Sequence, residues 1–525
     1  MSSPGLDRDG LAKAAVVLFL FIPVFAWIVT AKQVYDFNPD NIRQVLPFLL
    51  RNTFSIWQLW GALLGGFALA SGLFFLLVKY NKRVFKGAHF HRFYRGTALV
   101  TQEALARLTK EKKKQQITIA DIPIPTSAES KHFAIGGATG TGKTTVMKEM
   151  MYGVMKRGGK QVILDPDGEF LETFYRPGDV ILNPYDERSV GWSFFNEIRN
   201  EYDFNRYARS MVVQSNSAES EEWNDYGRLL FREVARKVYQ TSATPNMAEV
   251  FKWTNRSTME ELEEFAEGTE AQALFTGNDR ASSSVRFVLS NKLAPHLIMP
   301  AGDFSLTDWL EDDSSKTLFI TWTEATRAAL QPMISCWVDT IVQIVLGRRS
   351  HQGADVWMWL DELESLGHLP TLGAGLTRGR KKGLRIVSGY QSYSQIVDVY
   401  GENLAETMLT NHRSNIVFAV GRQGKATADR MSNALGEHEV MRERPEKSYR
   451  WGEWATRSNR REVQRERVVM PSEIMALDDL HGYVSFPGSL PVANFKVEPI
   501  NFKRSQPVPA IVPVSEMRQF GDVNA

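Results

Sequence analysis

The sequence predicts an α/β fold, a mostly parallel twisted sheet with helices on both faces, held behind a membrane anchor of two helices. Three observations predict it. Short apolar runs alternate with helix-like segments from about residue 132 to residue 486, as expected of a parallel sheet covered by helices. A glycine-rich loop of the phosphate-binding pattern stands where the first of these runs meets a helix. Two long uncharged apolar runs lie within the first 80 residues.

Composition sets outer limits. At 525 residues the chain is too long for one compact core, so two or three folding units are expected. An apolar content of 43% and a formal net charge of +2 exclude a disordered chain. They do not single out nucleic acid either, so any contact with DNA must come from a local patch. The single cysteine, Cys336, excludes an intrachain disulfide framework and a cysteine-cluster metal site, and fits a reducing, cytoplasmic setting.

The anchor is expected over residues 1–80, with spans at about 14–31 and 57–78, the second inside an uncharged run from Asn52 to Val78. Each is long enough to cross a hydrocarbon core of roughly 20 residues in helical form. Trp27, Trp57, Trp60 and Tyr80 lie near the ends, where amphipathic rings favour the interface. Lys79, Lys82, Arg83, Lys86, Arg92 and Arg95 follow the second run, against Lys32, Arg43 and Arg51 between the runs, which puts the large C-terminal part on the cytoplasmic side. A cleavable signal peptide ending near Val29 to Ala31 and a pair of buried core helices are the competing readings of these runs.

Beyond the anchor, strands are expected at His132 to Gly136, Gln161 to Asp165, Asp179 to Leu182, Lys316 to Trp322, Asp355 to Asp361, Leu384 to Gly389, Ser414 to Val420 and Gly482 to Phe486. They divide the nucleotide-binding domain into residues 81–195 and 301–505. Residues 196–300 carry few glycines and long helical stretches, and read as an all-α insertion in which Ser257 and Glu260 have the spacing of a capping box. Residues 506–525 form a Pro- and Val-rich tail, expected to be poorly ordered.

The chemistry concentrates in three places. Residues 137–144, GATGTGKT, match GxxxxGK[ST] between an apolar strand and a helix. Gly137, Gly140 and Gly142 allow backbone N–H groups to wrap phosphates at a helix N-terminus, with Thr141 and Thr145 as flanking contacts. Lys143 suits the β- and γ-phosphates of ATP, and the Thr144 hydroxyl suits Mg2+. The strand VWMWL then ends in Asp361, a candidate Mg2+ ligand, and Glu362, a candidate general base for the attacking water. An Asp-Glu pair also fits a plain helix cap and first turn. Gln391 follows a further strand and suits a γ-phosphate sensor or an ordinary turn. The cluster Arg378, Arg380, Lys381 and Lys382 fits an arginine finger reaching a neighbouring subunit, or a solvated or DNA-facing charge run. The SGYQ sequence at 388–391 follows the Asp361 strand, the reverse of the order in ABC-type ATPases, and is set aside.

Taken together, GATGTGKTT, VILDPDGEF at 162–170, IADIPIP at 119–125, WLDE, GRKKGLR and GYQSYSQ, with two membrane helices and an α-helical insertion, resemble the TraG/TraD-type coupling proteins of conjugation and type IV secretion, especially the TrwB-type members. The resemblance covers nearly the whole chain. It implies a RecA-like P-loop NTPase fold, a homo-hexameric ring with ATP between subunits, and a DNA-stimulated, Mg2+-dependent ATPase in the bacterial inner membrane. It further implies DNA, a relaxase with accessory DNA-processing proteins, and type IV secretion channel subunits as partners. Arg380 is the implied trans-acting finger, with Arg378 as the alternate, and Gln391 the implied nucleotide sensor.

Residues 441–467 are rich in Arg and Lys with Tyr449, Trp451 and Trp454 interleaved, which fits single-stranded DNA and equally a solvated hairpin or protein contact. Two rivals to the coupling reading are an FtsK- or HerA-like DNA translocase and a membrane adaptor that recruits protein cargo and uses nucleotide only as a switch. The first lacks support from any long linker or winged-helix tail, and turnover assays separate the second.

Overall fold

The structure, a computed structural model, describes residues 8–37, 42–80, 92–213, 218–275, 279–349, 353–448, 456–500, 502 and 508–514. The chain divides into two compact units, residues 1–94 with 440–464, and residues 95–439 with 465–525. The first boundary therefore falls at residue 94 instead of residue 80. Segment 440–464, expected within the nucleotide-binding domain, groups with the N-terminal unit.

That unit holds α1 (Arg8–Tyr35), α2 (Ile42–Asn52) and α3 (Trp57–Tyr80). α1 and α3 pack as a hairpin, with Phe19 against Phe74 at 6.0 Å between ring centroids. A Cβ on Gly66 would lie 2.5 Å from Pro23 Cα, so the glycine is what lets the two backbones meet. α1 runs unbroken through residues 29–31 and beyond the expected end of the span. Residues 53–56 form a turn and α3 starts at Trp57, within the uncharged run that begins at Asn52, whereas α2 was not anticipated. A third helix, Glu324–Gly347, matches the spans in length and apolar content, but 67% of it is buried against 17% for each N-terminal span, which assigns it to a protein core. Strands Arg92–Gly96, Glu437–Ser448 and Thr456–Arg467 make a small three-stranded sheet. Tyr449, Trp451 and Trp454, and with them the expected stacking contacts to single-stranded DNA, lie outside the described residues.

The larger unit is built on a ten-stranded sheet: β1 (Leu99–Thr101), β2 (Phe133–Gly136), β3 (Lys160–Pro166), β4 (Val180–Leu182), β5 (Thr317–Trp322), β6 (Val356–Leu360), β7 (Leu384–Tyr390), β8 (Ser414–Val417), β9 (His481–Ser485) and β10 (Val492–Lys496). Their order is β1-β10-β9-β8-β2-β7-β6-β3-β5-β4. From β8 to β4 every pairing is parallel, and β9 is antiparallel to both β8 and β10. Every apolar run expected to be a strand is one, shifted by a residue or two, except that the last run to precede β9 stops at Val417 and not at Val420.

Alternate residues of the strands feed two cores. Val162, Leu164, Leu318, Ile320, Met358, Leu360 and Ile386 point to one face, where Trp337 and the helix Glu324–Gly347 cover them. Phe133, Ile135, Ile163, Phe319, Trp357, Trp359 and Val387 point to the other, where Val146, Met147 and Met150 of α4 (Lys143–Lys156) close over them.

Described residues of the insertion are helical, and their apolar faces join the first of these cores: Phe204, Tyr207, Phe231 and Val234 are continuous with Phe194 and Trp337. Four of its arginines are ion-paired within it, Arg206 with Asp203, Arg228 with Glu221 and Asp225, Arg232 with Glu233 and Glu270, and Arg236 with Glu201 and Glu233. The capping box lies one residue later than expected. Thr258 Oγ1 accepts from Glu261 N at 3.2 Å and Glu261 Oε2 accepts from Thr258 N at 2.8 Å, because Ser257 Oγ donates back to Trp253 O and closes the preceding helix.

The tail also differs from expectation. Residues 508–514 are pinned along the loop after β4: Glu187 N donates to Val512 O at 2.8 Å, Val514 N to Tyr185 O at 3.3 Å, and Arg188 Nη1 to Pro509 O at 2.9 Å. A Pro-rich composition does not disclose these partners, since they lie more than 300 residues away.

At the tips of β6 and β7 a Cβ on Gly389 would overlap the Asp361 carbonyl oxygen and press on Met147 Cε at 2.8 Å. Gly389→Ala is therefore expected to cost about 1–3 kcal/mol by forcing these strand ends apart. Thermal unfolding of the full-length protein in detergent checks it, and an unchanged midpoint would contradict the close approach.

Candidate nucleotide site

The phosphate-binding loop forms because β2 ends at Gly136 and the chain must turn sharply before α4 begins at Lys143. Gly140 (φ +78°) and Gly142 (φ +118°) take left-handed backbone that side chains disfavour. The base of the loop is stapled to both neighbouring strands. Gly137 N donates to Tyr390 O at 3.2 Å at the end of β7, and Ala138 N to Ala419 O at 2.7 Å beyond β8. Thr141 Oγ1 donates to Ala138 O at 2.7 Å inside the loop. Thr144 and Thr145 stand in the first turn of α4, partly exposed at the amino end of the helix.

Lys143 is buried and folds over this loop, its Nζ donating to Gly137 O at 2.8 Å and Ala138 O at 3.0 Å. Burial lowers its pKa, and the negative charges of Asp361, Glu364 and Glu362 oppose that shift. Those acids arrive on β6, two strands from β2, with β7 between them. Parallel pairing puts the carboxyl ends of β2, β7, β6 and β3 on one edge of the sheet. The crevice there is where open parallel sheets bind ligands.

Gln391, one residue past β7, spans the gap. Its Oε1 accepts from Thr139 Oγ1 of the loop at 3.1 Å, and its Nε2 donates to Glu362 Oε1. Its backbone N donates to Glu364 Oε1 at 2.7 Å. One glutamine thus ties the phosphate loop to the carboxylates. Asp361 is pushed up to about 6 by burial, against the pull of Lys143 and Lys148, and its Oδ1 is shielded from solvent with no hydrogen-bond partner.

Four participants escaped the sequence reading. Glu364 is raised by burial and leaves Oε2 without a partner. Asp165, at the end of β3, is pushed up to about 8 by burial, although it accepts from Phe170 N at 3.1 Å and Leu171 N at 2.7 Å. Glu169 pairs with Lys148 at 2.5 Å. Glu364 was visible as a third acid after the apolar run, and Asp165 as a carboxylate ending one; Glu169 and Lys148 carry no such mark.

Arg380 lies elsewhere. It sits in the turn Gly379–Lys382 before β7, with Arg378 ending the preceding helix. The seven-residue β7 separates that turn from Gln391, which corresponds to roughly 20 Å of strand rise. Arg380, Lys381 and Arg385 line a cavity of about 560 Å³ with Ser130, Gly353, Asp355 and Gly383, at the amino edge of the sheet. Within one chain, Arg380 therefore does not meet Lys143, Asp361, Glu362 and Gln391.

The residues fit a magnesium-bound nucleoside triphosphate. An orphaned, shielded carboxylate oxygen on Asp361 is the atom a cation or its water would satisfy, and the glycine-lined loop beside Lys143 offers N–H groups to phosphate. Among the described residues no group of three or more His, Cys, Asp or Glu is arranged to hold a metal alone. A cation at Asp361 would draw further oxygens from phosphate, a hydroxyl such as that of Thr144, and water, the habit of Mg2+.

Because its native pKa exceeds the unfolded value of 3.8, Asp361 costs stability as pH rises from about 4 through about 6. Asp361→Asn is accordingly expected to stabilise the nucleotide-free protein at pH 7.5, on the order of 2 kcal/mol, with the gain disappearing near pH 4. Paired denaturation curves at the two pH values check this; equal effects at both would contradict it.

Residues 116–498 match the family described as the type IV secretion-system coupling protein DNA-binding domain. The chain is 30% identical over 407 residues to the coupling protein TraD of Escherichia coli (strain K12), an overlap of 74% of this chain and 56% of TraD. It thus spans about half the length of that curated relative. Among solved structures, the unbound monoclinic form of the bacterial conjugative coupling protein TrwBdeltaN70 is similar at 46% identity and a TM-score of 0.75, covering 82% of this chain and 98% of that one. The plasmid coupling protein TrwB in complex with ADPNP, and with ADP and Mg2+, gives 46% identity and a TM-score of 0.74, covering 82% of this chain and 100% of each. The fold is the RecA-like P-loop NTPase fold with a helical insertion, and the chain belongs to the type IV secretion-system coupling protein family.

Proposed function

We propose that this chain is an inner-membrane coupling ATPase, a motor that recruits relaxase-bound DNA and drives the DNA toward a type IV secretion channel. The observation that carries the proposal is the continuous link from the phosphate loop through Gln391 to Glu362. Such a link has a use where nucleotide state must be sensed and hydrolysis timed. Binding of ADPNP, and of ADP with Mg2+, by a relative 46% identical supports the nucleotide and the metal.

In this reading the bound triphosphate supplies a phosphoryl group that can be transferred to water. Lys143 exchanges the Gly137 and Ala138 carbonyls for phosphate oxygens, and its buried charge neutralises theirs. Thr144 and Asp361 hold Mg2+. Glu362 takes the proton of the attacking water, oriented by the amide of Gln391, which also contacts the loop through Thr139. Arg380, at the opposite edge of the sheet, acts on the site of a neighbouring copy, which calls for a closed head-to-tail ring, and the family resemblance implies six copies in it. α1 and α3 are long and apolar enough to cross the membrane, and the basic residues after the second span support a cytoplasmic larger unit. The paired arginines of the insertion leave relaxase, accessory proteins and channel subunits as partners recognised by shape more than by a basic face there.

Lys143→Ala or Glu362→Gln is expected to abolish DNA-stimulated phosphate release and DNA transfer while membrane insertion persists. Normal transfer by both variants would overturn the motor. The placement of Arg380 makes a separate prediction: subunits carrying Lys143→Ala mixed with subunits carrying Arg380→Ala recover part of the ATPase activity that neither has alone. No recovery on mixing would contradict a finger acting between copies.

A further inference from the structure

α2, between the two spans, is not needed to connect them, and its surface is unusual. Val45 and Leu49 face inward and pack with Trp27, Ala31, Leu59 and Leu63. Leu46 and Leu50 on one flank of this inward face and Phe48 on the other are exposed, and the turn after α2 exposes Phe54, 83% accessible, followed by Trp57 at 71%. Leu46 and Leu50, four residues apart, widen the apolar arc of α2 beyond what the hairpin covers, while Pro47 and Arg51 stand on its far side. Contiguous apolar surface of this kind marks an interaction site and not a face left in water.

The contacts of α2 set its depth. The two spans, Ala14–Tyr35 and Trp57–Leu77, meet near their middles at Pro23 and Gly66. From Pro23, Trp27 lies one helical turn up, about 6 Å, and Tyr35 about 18 Å, at a rise of ~1.5 Å per residue. Trp27 Nε1 donates to Thr53 Oγ1 at 3.2 Å, and Tyr35 packs on Phe48 at 5.5 Å between ring centroids. α2 and its following turn therefore run from outside the hydrocarbon boundary, about 15 Å from the midplane, to just inside it, since Trp57 stands about 14 Å from Gly66 along α3. Beyond Phe54 the exposed apolar residues continue along α3 at Trp57, Trp60 and Leu64.

We propose that α2 is a lipid-embedded wedge, with Leu50 and Phe54 among the acyl chains and Leu46 and Phe48 at the headgroup boundary of the leaflet opposite the cytoplasm. The depth and the continuity with the spans favour lipid over a protein partner. The proposal rests on the reading of α1 and α3 as membrane spans.

The test uses the full chain in vesicles of phosphatidylethanolamine and phosphatidylglycerol, without other proteins. Cys336, the sole native cysteine, is buried and does not compete for label. Spin labels are attached at Leu50→Cys and Phe54→Cys, at exposed Arg51→Cys, and at Leu69→Cys, which is 59% exposed near mid-span. Relaxation by oxygen reports lipid, and relaxation by a water-soluble nickel chelate reports water. The expected result is that positions 50 and 54 respond to oxygen and lose the nickel response shown by position 51. A nickel response at 50 and 54, with 69 still in lipid, overturns the wedge alone and leaves the exposed apolar arc for a protein partner. Shielding of 50 and 54 from both reagents, as a contact between copies would produce, overturns it equally. A nickel response at 69 instead overturns the spans themselves.

Discussion

The structure of the site depends on one constraint: β7 is inserted between the strand that feeds the phosphate loop and the strand that carries the acids. Adjacent strands are separated by about 4.8 Å, so the loop and the Asp361 tip stand about 10 Å apart at the sheet edge. That gap is wide enough for a triphosphate and its metal, and too wide for Lys143 to collapse into a permanent ion pair with Asp361. The lysine rests on loop carbonyls instead. The residue just past β7 is then placed to touch both sides, and Gln391 touches both.

Burial explains why this edge is unsatisfied without ligand. Asp361, Glu364 and Asp165 all have carboxyls raised by desolvation, while Lys143 is lowered by the same cause. Charged groups held in this way lose free energy that a correctly placed cation and polyanion restore. The opposite edge of the sheet has the reverse character. Arg380, Lys381 and Arg385 line the cavity there, and Lys131 has a pKa lowered by burial and by repulsion from Arg380 and Arg413. A sheet with an acidic, phosphate-binding edge and a basic edge is suited to head-to-tail assembly, in which each copy presents its arginines to the next.

Much of this was legible in the sequence, for a physical reason. Central parallel strands are buried on both faces, so β3, β5 and β6 read as unbroken apolar runs, and the loop needs glycine where φ is positive. β1 and β10 were not legible: β1 is three residues long, and β10 interleaves buried and exposed positions. Partners remote in sequence were also hidden. Nothing local to Arg188 announces Ala510, and nothing local to Gln391 announces Thr139. The capping box was misplaced by one residue because Ser257 and Thr258 both satisfy the pattern, and only the contact of Ser257 with Trp253 separates them.

The account stands on Lys143 and Asp361 serving one magnesium-bound nucleotide from opposite sides of β7. Calorimetric binding of ADPNP with and without Mg2+ tests this most directly. Wild-type protein is expected to bind much more tightly with the metal present; Asp361→Asn should keep the metal-free affinity and lose the gain from Mg2+, and Lys143→Ala should weaken both. An undiminished Mg2+ gain in Asp361→Asn would contradict the account.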